Sequence, residues 1–213
     1  MREARTVLRR LRAGEAVGDL ELDQLYPEWV RRASDTHWTP CEVARRAAAL
    51  LVSGPETRVL DVGSGPGKFC LIGALTTPGE FIGVEQRADL VEIAEETAAR
   101  CEVPRVRYVH ANITSLDWRG FDAFYLYNPF YEHIADGLSL IDDRVEHDAA
   151  LFHEYVAITT RALQDAPVHT RVATYQGFGG QMPPTYRLHV REPAGDAHLE
   201  LWVKEAAPLD TIC

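Results

Sequence analysis

The sequence predicts an α/β fold: a doubly wound, mostly parallel sheet that finishes in an antiparallel hairpin, with helices preceding it along the chain. Three observations predict this. Short apolar runs alternate with helical stretches through the middle of the chain, the first run passes into a glycine-rich turn before a helix, and the last two runs oppose each other across a turn. The 213 residues, 46% hydrophobic and 25% charged, have the composition of a globular chain. A chain of that length buries about 70% of its unfolded surface and needs neither metal nor disulfide to stand.

The elements follow in order. Residues 1–12 place Val7, Leu8 and Leu11 on one helical face among five arginines. They read as a solvated amphipathic helix or, more sharply, as an arm that touches an acidic partner. A second helical pattern runs from Glu21 to Ala33, with Leu22, Leu25, Tyr26 and Val30 at helical spacing. Thr39 then reads as an N-cap, Pro40 as the first helical position and Glu42 as the closing member of a capping box. That helix presents Val43, Ala47, Leu50 and Leu51 and stops near Ser53-Gly54-Pro55.

Beyond it the periodicity changes. Five apolar runs read as strands: Arg58–Val62, Phe81–Glu85, Val106–His110, Phe121–Tyr127 and His169–Tyr175. Lys68–Leu75, Ala88–Cys101 and Arg144–Leu163 read as the helices between them. Such alternation implies right-handed crossovers and a sheet covered on both faces, which suits the nearly continuous apolar character of the strands. Tyr186–Arg191 and His198–Lys204 then form a hairpin across Pro193-Ala194-Gly195-Asp196.

Charge and cysteine usage narrow the function classes. The net charge is −10 and the pI about 5.3, against the basic surface that bare nucleic acid or an anionic membrane requires. The first twelve residues hold five arginines and one glutamate, net +4, which leaves −14 for the rest. Cys41, Cys70, Cys101 and Cys213 are scattered without a Cys-x-x-Cys pair, the usage of a reducing compartment, and no metal site is expected. No run approaches the ~20 apolar residues of a membrane span. The amino terminus has no apolar segment of a secretion signal, so a cytoplasmic location is expected.

The densest signal is Val59-Leu60-Asp61-Val62-Gly63-Ser64-Gly65-Pro66-Gly67-Lys68-Phe69, where a strand enters three glycines at alternate positions before a helix. Glycine serves where backbone turns sharply and a ligand must approach without a Cβ in the way. A helix start presents free N–H groups and a positive dipole end. The spacing is neither the dinucleotide G-x-G-x-x-G nor a phosphate loop, because Phe69 stands where the latter needs a hydroxyl. Lys68 at a helix start is electrostatically unfavourable and is expected to be solvated.

The pattern Asp-x-Gly-x-Gly-x-Gly resembles motif I of the class I S-adenosylmethionine-dependent methyltransferases. Phe81-Ile82-Gly83-Val84-Glu85 resembles that family's second strand, and Val109-His110-Ala111-Asn112-Ile113 the segment after its third, with Asn112 where aspartate is usual. The order of elements from Thr39 to Lys204 is similar too. The resemblance implies a Rossmann-like, seven-stranded sheet and S-adenosylmethionine as cofactor. It places the cofactor on Asp61, Gly63, Ser64, Gly65 and Gly67, with Glu85 and Gln86 at the ribose, Asn112 and Ile113 at the adenine, and Asn128 beside it. A carboxylate such as Glu85 suits a ribose because its two oxygens accept from two hydroxyls together.

After the fourth strand comes Asn128-Pro129-Phe130-Tyr131, at the sheet edge where ligands of open α/β sheets bind. It resembles the Asn-Pro-Pro-Tyr/Phe motif of methyltransferases that act on amino or amide nitrogen, with Phe130 replacing the second proline. The resemblance implies that the Asn128 side-chain oxygen and the Pro129 carbonyl accept hydrogen bonds from the acceptor and that Tyr131 packs on it. These four residues are the expected catalytic group. Trp38-Thr39-Pro40 is similar to an entry segment of some protein-lysine methyltransferases, which would bring His37 and Trp38 to the acceptor. Glu132, His133 and His110 are further candidates for a proton acceptor, none standing out.

The expected activity is methyl transfer to an amino or amide nitrogen of a protein or small molecule, with a nucleic-acid acceptor disfavoured. A small-molecule O-methyltransferase and a non-catalytic S-adenosylmethionine- or nucleotide-binding regulatory module are the alternatives. The expected division is a helical extension over residues 1–38 and a methyltransferase domain over residues 39–213, with acceptor recognition from the N-terminal helices, Tyr131–Arg144 and Gln176–Thr185.

Overall fold

The computed structural model describes residues 2–135, 140–142 and 144–206. Cys213 and part of the Tyr131–Arg144 stretch, residues 136–139 and 143, lie outside the described residues. The strands are β1 (Arg58–Val62), β2 (Glu80–Glu85), β3 (Val106–His110), β4 (Ala123–Tyr127), β5 (Arg171–Tyr175), β6 (Tyr186–Ala194) and β7 (Ala197–Lys204). They form one seven-stranded sheet in the order β3-β2-β1-β4-β5-β7-β6, and β7 runs antiparallel to both of its neighbours. The order reverses between β1 and β4, so a crevice opens outside their carboxyl ends.

Alternate side chains of each strand enter opposite cores. Val59, Phe81, Tyr125 and Ala173 join one cluster, while Leu60, Ile82, Phe124 and Val172 join the other. The first is covered by α1 (Arg2–Arg12), α5 (Cys41–Leu51), α6 (Lys68–Thr76) and α7 (Ala88–Arg100), the second by α8 (Ala149–Asp165). Helix α6 is buried from Lys68 through Leu75, as its lack of a polar face requires. Gly73 lets it lie against the sheet, since a Cβ there would meet the Phe81 ring at 2.3 Å. Among the described residues no helix is long and apolar enough to cross a membrane.

Several expectations need correction. The first helix is no solvated appendage: Val7, Leu8 and Leu11 are buried in the same cluster as Phe69 and Leu71 of α6. The single helix expected over Glu21–Ala33 is three pieces, α2 (Asp19–Leu22), a 3-10 turn (Asp23–Leu25) and α3 (Glu28–Arg32), because Pro27 cannot continue a helix at Tyr26. Leu22, Leu25, Tyr26 and Val30 are nonetheless all buried. A fourth short helix, α4 (Ser34–His37), follows.

Thr39 does not cap α5. Its hydroxyl bonds the Tyr125 hydroxyl at 3.0 Å, and the free Cys41 N–H donates instead to Asp19 Oδ1 at 2.9 Å. Glu42 pairs with Arg45 rather than closing a capping box. Helix α8 begins at Ala149, capped by Asp148, five residues later than Arg144. The terminal hairpin turns on Gly195 and Asp196 alone, and Pro193 lies within β6, an edge strand where its missing N–H is tolerated.

Candidate functional site

Strand β1 delivers its chain end to the glycine turn at the crevice. The Gly63 and Ser64 N–H groups both donate to Val84 O at 2.9 Å, which pins the loop to β2. Gly65 has φ +53°, and a Cβ there would meet the Trp38 ring at 2.7 Å, so the indole packs on bare backbone. Gly67 has φ +78°, and its Cβ would strike the Tyr108 hydroxyl at 2.4 Å.

Glu85, the last residue of β2, is 6% exposed. Its Oε2 accepts from the Gly65 N–H at 3.0 Å and its Oε1 from the Arg87 N–H at 2.9 Å. Burial pushes its carboxyl above the ordinary range, partly offset by the Arg87 and Gly65 contacts. The carboxylate is thereby fixed at the crevice floor with further lone pairs for a ligand.

A cavity of about 430 Å³ occupies the crevice, a volume typical of small-ligand sites. Gly63, Gly65, Glu85, Gln86, Asn112 and Ile113 line it on the β1–β3 side. Asn128, Pro129, Phe130 and Tyr131 line it from the end of β4. A second cavity of about 40 Å³ shares His37, Trp38, Gly63 and Tyr127 with the first and is lined also by Asp61, Ser64, Thr39 and Tyr125. Asp61 is buried and its carboxyl is pushed up to about 7 by burial and by the Glu85 charge, against a thiol hydrogen bond from Cys70. Ser64 Oγ is buried without a partner among the described residues. Gly67 lines neither cavity, and its role is close packing against Tyr108.

Asn112 is locked in orientation. Its oxygen accepts from the Thr114 N–H at 3.0 Å, and its amide donates to the Tyr155 hydroxyl at 2.7 Å and to Gln86 at 3.2 Å. One lone pair of its oxygen stays free for an incoming N–H.

Asn128 carries the local strain. It has φ +39°, left-handed for a residue with a Cβ and disfavoured before proline. Its N–H donates to Gly177 O at 2.8 Å and its carbonyl accepts from the Tyr131 N–H at 3.2 Å, closing a turn that holds the strained form. The Asn128 side chain and the Pro129 carbonyl have no hydrogen-bond partner among the described residues, and that carbonyl lies 3.6 Å from where a Gly63 Cβ would stand. Phe130 is buried edge-on against Tyr155, with ring centroids 5.6 Å apart. It anchors the turn, while Tyr131 is 46% exposed at the rim.

Of the expected flanking residues, His37, Trp38, Glu132 and His133 do line the larger cavity, and His110 does not; its ring bonds Gln86 O at 3.1 Å. Lys68 overturns its expectation of solvation. It is 2% exposed, with Nζ 2.6 Å from Asp19, 2.9 Å from Asp23 and 3.0 Å from the Ser34 hydroxyl. Sequence reasoning missed Arg87, a buried guanidinium on the cavity wall, 2.9 Å from Glu132 and 3.3 Å from Asp142. Only its place two residues beyond the strand-end acid hinted at it. It also missed Tyr155, which lines the same cavity from α8, whereas Gln176 of the expected Gln176–Thr185 recognition stretch does line it.

Comparison with known proteins agrees with this geometry. Residues 59–141, which contain the glycine turn, Glu85, Asn112 and the Asn128 turn, match a family model described as a methyltransferase domain. No curated protein sequence matches the chain. An RNA methyltransferase from Salinibacter ruber in complex with S-adenosyl-L-homocysteine superposes with a TM-score of 0.58 at 16% identity, over 82% of this chain and 98% of its own. A Klebsiella pneumoniae protein described as a candidate O-methyltransferase gives 0.59 at 17%, over 94% and 97%. TrmN from Thermus thermophilus gives 0.58 at 22%, over 78% of this chain but 49% of its own. At these identities the likeness is one of fold.

Proposed function

We propose that the chain, whose residues 59–141 match the model of a methyltransferase domain, is a class I S-adenosylmethionine-dependent methyltransferase of unassigned subfamily that methylates an amino or amide nitrogen of a protein side chain or small molecule. The observation that carries the reading is the strained Asn128-Pro129 turn, which brings two unpartnered acceptor oxygens to the cavity at the end of β4. Two acceptors at one point suit a nitrogen bearing two N–H bonds, because holding both aims the remaining lone pair.

The residues present fit the cofactor. The orphaned Ser64 hydroxyl, the Cβ-free loop at Gly63 and Gly65 and the fixed Glu85 carboxylate provide donors, access and a ribose acceptor. In this reading Glu85, with Gln86 beside it, holds the ribose, and Asn112 and Ile113 hold the adenine. Asp61 and Ser64 hold the amino-acid end, and Asn128 spans cofactor and acceptor. Bound S-adenosylmethionine supplies an electrophilic methyl on its sulfonium. Tyr131 offers an aromatic face to a planar or cationic acceptor. The Arg87 guanidinium on the wall is paired with Glu132 and Asp142, which leaves little free positive charge for a polyanion.

Tritium from labelled S-adenosylmethionine, followed through protein, small-molecule and nucleic-acid fractions of a cell lysate, tests this. Label released from protein or metabolite as methylated amine is the expected result. Label confined to nucleic acid, or to ethers and esters, would refute it.

A further inference from the structure

We propose that the His37 imidazole is the proton acceptor of this site and takes the proton from the acceptor nitrogen before methyl transfer. The inference rests on the nitrogen reading above for the identity of the acceptor, and on geometry for the identity of the base. His37 ends α4 and lines both cavities. The walls they share, His37, Trp38, Gly63 and Tyr127, mark where the two spaces meet, next to the Asn128-Pro129 turn. A group reaching both spaces stands between the amino-acid end of the cofactor and the acceptor.

Most other ionisable side chains of the larger cavity are committed, and Tyr131 sits exposed at its rim, outside the smaller cavity. Glu132 takes the Arg87 guanidinium on both oxygens and the Ile141 N–H on one of them. His133 is buried with Nδ1 on Glu146 O at 2.7 Å and its ring edge-on to Tyr155, and unlike His37 it does not reach the smaller cavity. Glu85 holds two N–H groups, and burial drives the Tyr127 hydroxyl up to about 12, against ionisation near neutrality. The His37 ring has no hydrogen-bond partner among the described residues and meets only the Trp38 ring, at 5.8 Å between centroids. It is half-buried, and burial lowers its pKa below 6.5; of the charges that face it, Glu132 raises the value and Arg87 lowers it. The ring is therefore neutral at pH 7.5 and ready to accept a proton.

An alkylammonium has no lone pair to offer, so its N–H bond must break first. The acceptor nitrogen passes that proton to an imidazole nitrogen. With S-adenosylmethionine bound, that freed pair would be available to form the N–C bond to its methyl, the C–S bonding pair leaving with sulfur. The imidazolium then returns its proton to water.

The test uses the full chain, tritiated S-adenosylmethionine and Nα-acetyl-lysine amide as acceptor probe. His37→Ala should lower transfer 10²- to 10⁴-fold and abolish the acid limb of the pH profile. Cofactor affinity by calorimetry should stay within twofold, and added imidazole should restore part of the rate. Transfer within twofold of wild type with an unchanged pH profile would overturn the proposal. Wild type that labels no amine or amide, neither in the probe nor in the lysate fractions, would sink the nitrogen reading, and His37 is then decided separately on the protein loaded with S-adenosylhomocysteine. An NMR signal for His37 that titrates below 6.5, with a ring open to diethyl pyrocarbonate, upholds it as the site's proton acceptor. A ring protonated at pH 7.5, or closed to the reagent, overturns it.

Discussion

Replacing Lys68 by methionine removes the ammonium that α6 inserts between Asp19 and Asp23, where it is 2% exposed. Asp23 is almost as buried and would keep an uncompensated charge, whereas Asp19 reaches water on one side. Breaking a buried pair by removing one partner costs about 3–5 kcal/mol, and the half-exposed Asp19 adds little. For a chain of this size that corresponds to a fall in Tm of roughly 10 °C. Urea unfolding should report the loss as a lower midpoint at constant slope. Lys68→Met with Asp23→Asn together should regain most of it, because no bare charge is then buried.

The pH dependence has a definite sign. Burial opposes the Lys68 charge, yet the bonds to Asp19 and Asp23 prevail and its pKa is raised above 10.5. Between the ordinary carboxylate range and 10.5 the pair's stabilisation is therefore full; it is lost as pH climbs through the raised Lys68 value and again as pH falls through the lowered Asp19 value, so wild type and Lys68→Met converge in strong alkali and in strong acid. A Lys68→Met variant within 1 kcal/mol of wild type, or a double variant no more stable than the single one, would refute the reasoning (both thresholds set well below the roughly 3 kcal/mol lower bound for a broken buried pair).

Three further outcomes are expected. Glu85→Gln should weaken S-adenosylmethionine binding roughly 10- to 100-fold by calorimetry, since hydrogen bonds to a charged partner contribute about 1.5–3 kcal/mol; unchanged affinity removes the ribose assignment. Asn128→Ala should cut methyl transfer about 100-fold, the scale of a misaligned acceptor, with cofactor affinity nearly unchanged, and full transfer would end the acceptor argument. Asp61 has a folded pKa of about 7 against 3.8 in the open chain, so the native state holds its proton more tightly and loses stability as pH rises between those values. Asp61→Asn should erase that slope, and thermal melts at pH 4 and pH 8 that show the same difference from wild type would contradict it.

The parts of this protein legible in its sequence are those whose causes are local. The ranges of β1 and β3 and the starts of α6 at Lys68 and α7 at Ala88 fall where periodicity places them, because the period of a run is written in adjacent residues. The glycine turn and Glu85 were legible for the same reason: backbone torsion and the end of a strand are properties of a few adjacent residues. Asn128-Pro129 was legible as a turn, though not as a strained one.

What only the tertiary structure decided involves partners far apart in the chain. Thr39 has the pattern of a helix cap and bonds Tyr125 instead, while Asp19, twenty-two residues upstream of Cys41, satisfies that helix start. Lys68 is unfavourable at the start of α6 on local electrostatics, and two carboxylates from the N-terminal helices reverse the balance. The arginine-rich first helix is charged enough to stand in water, yet its three apolar residues are worth more against α6. His37 is divided between the two: the adjoining Trp38-Thr39-Pro40 segment already points to the acceptor side, but its place between two cavities exists only once the chain folds over the glycine turn. Local sequence determines which backbone forms, but burial, and with it the charge and availability of each side chain, is set by whatever the fold brings alongside.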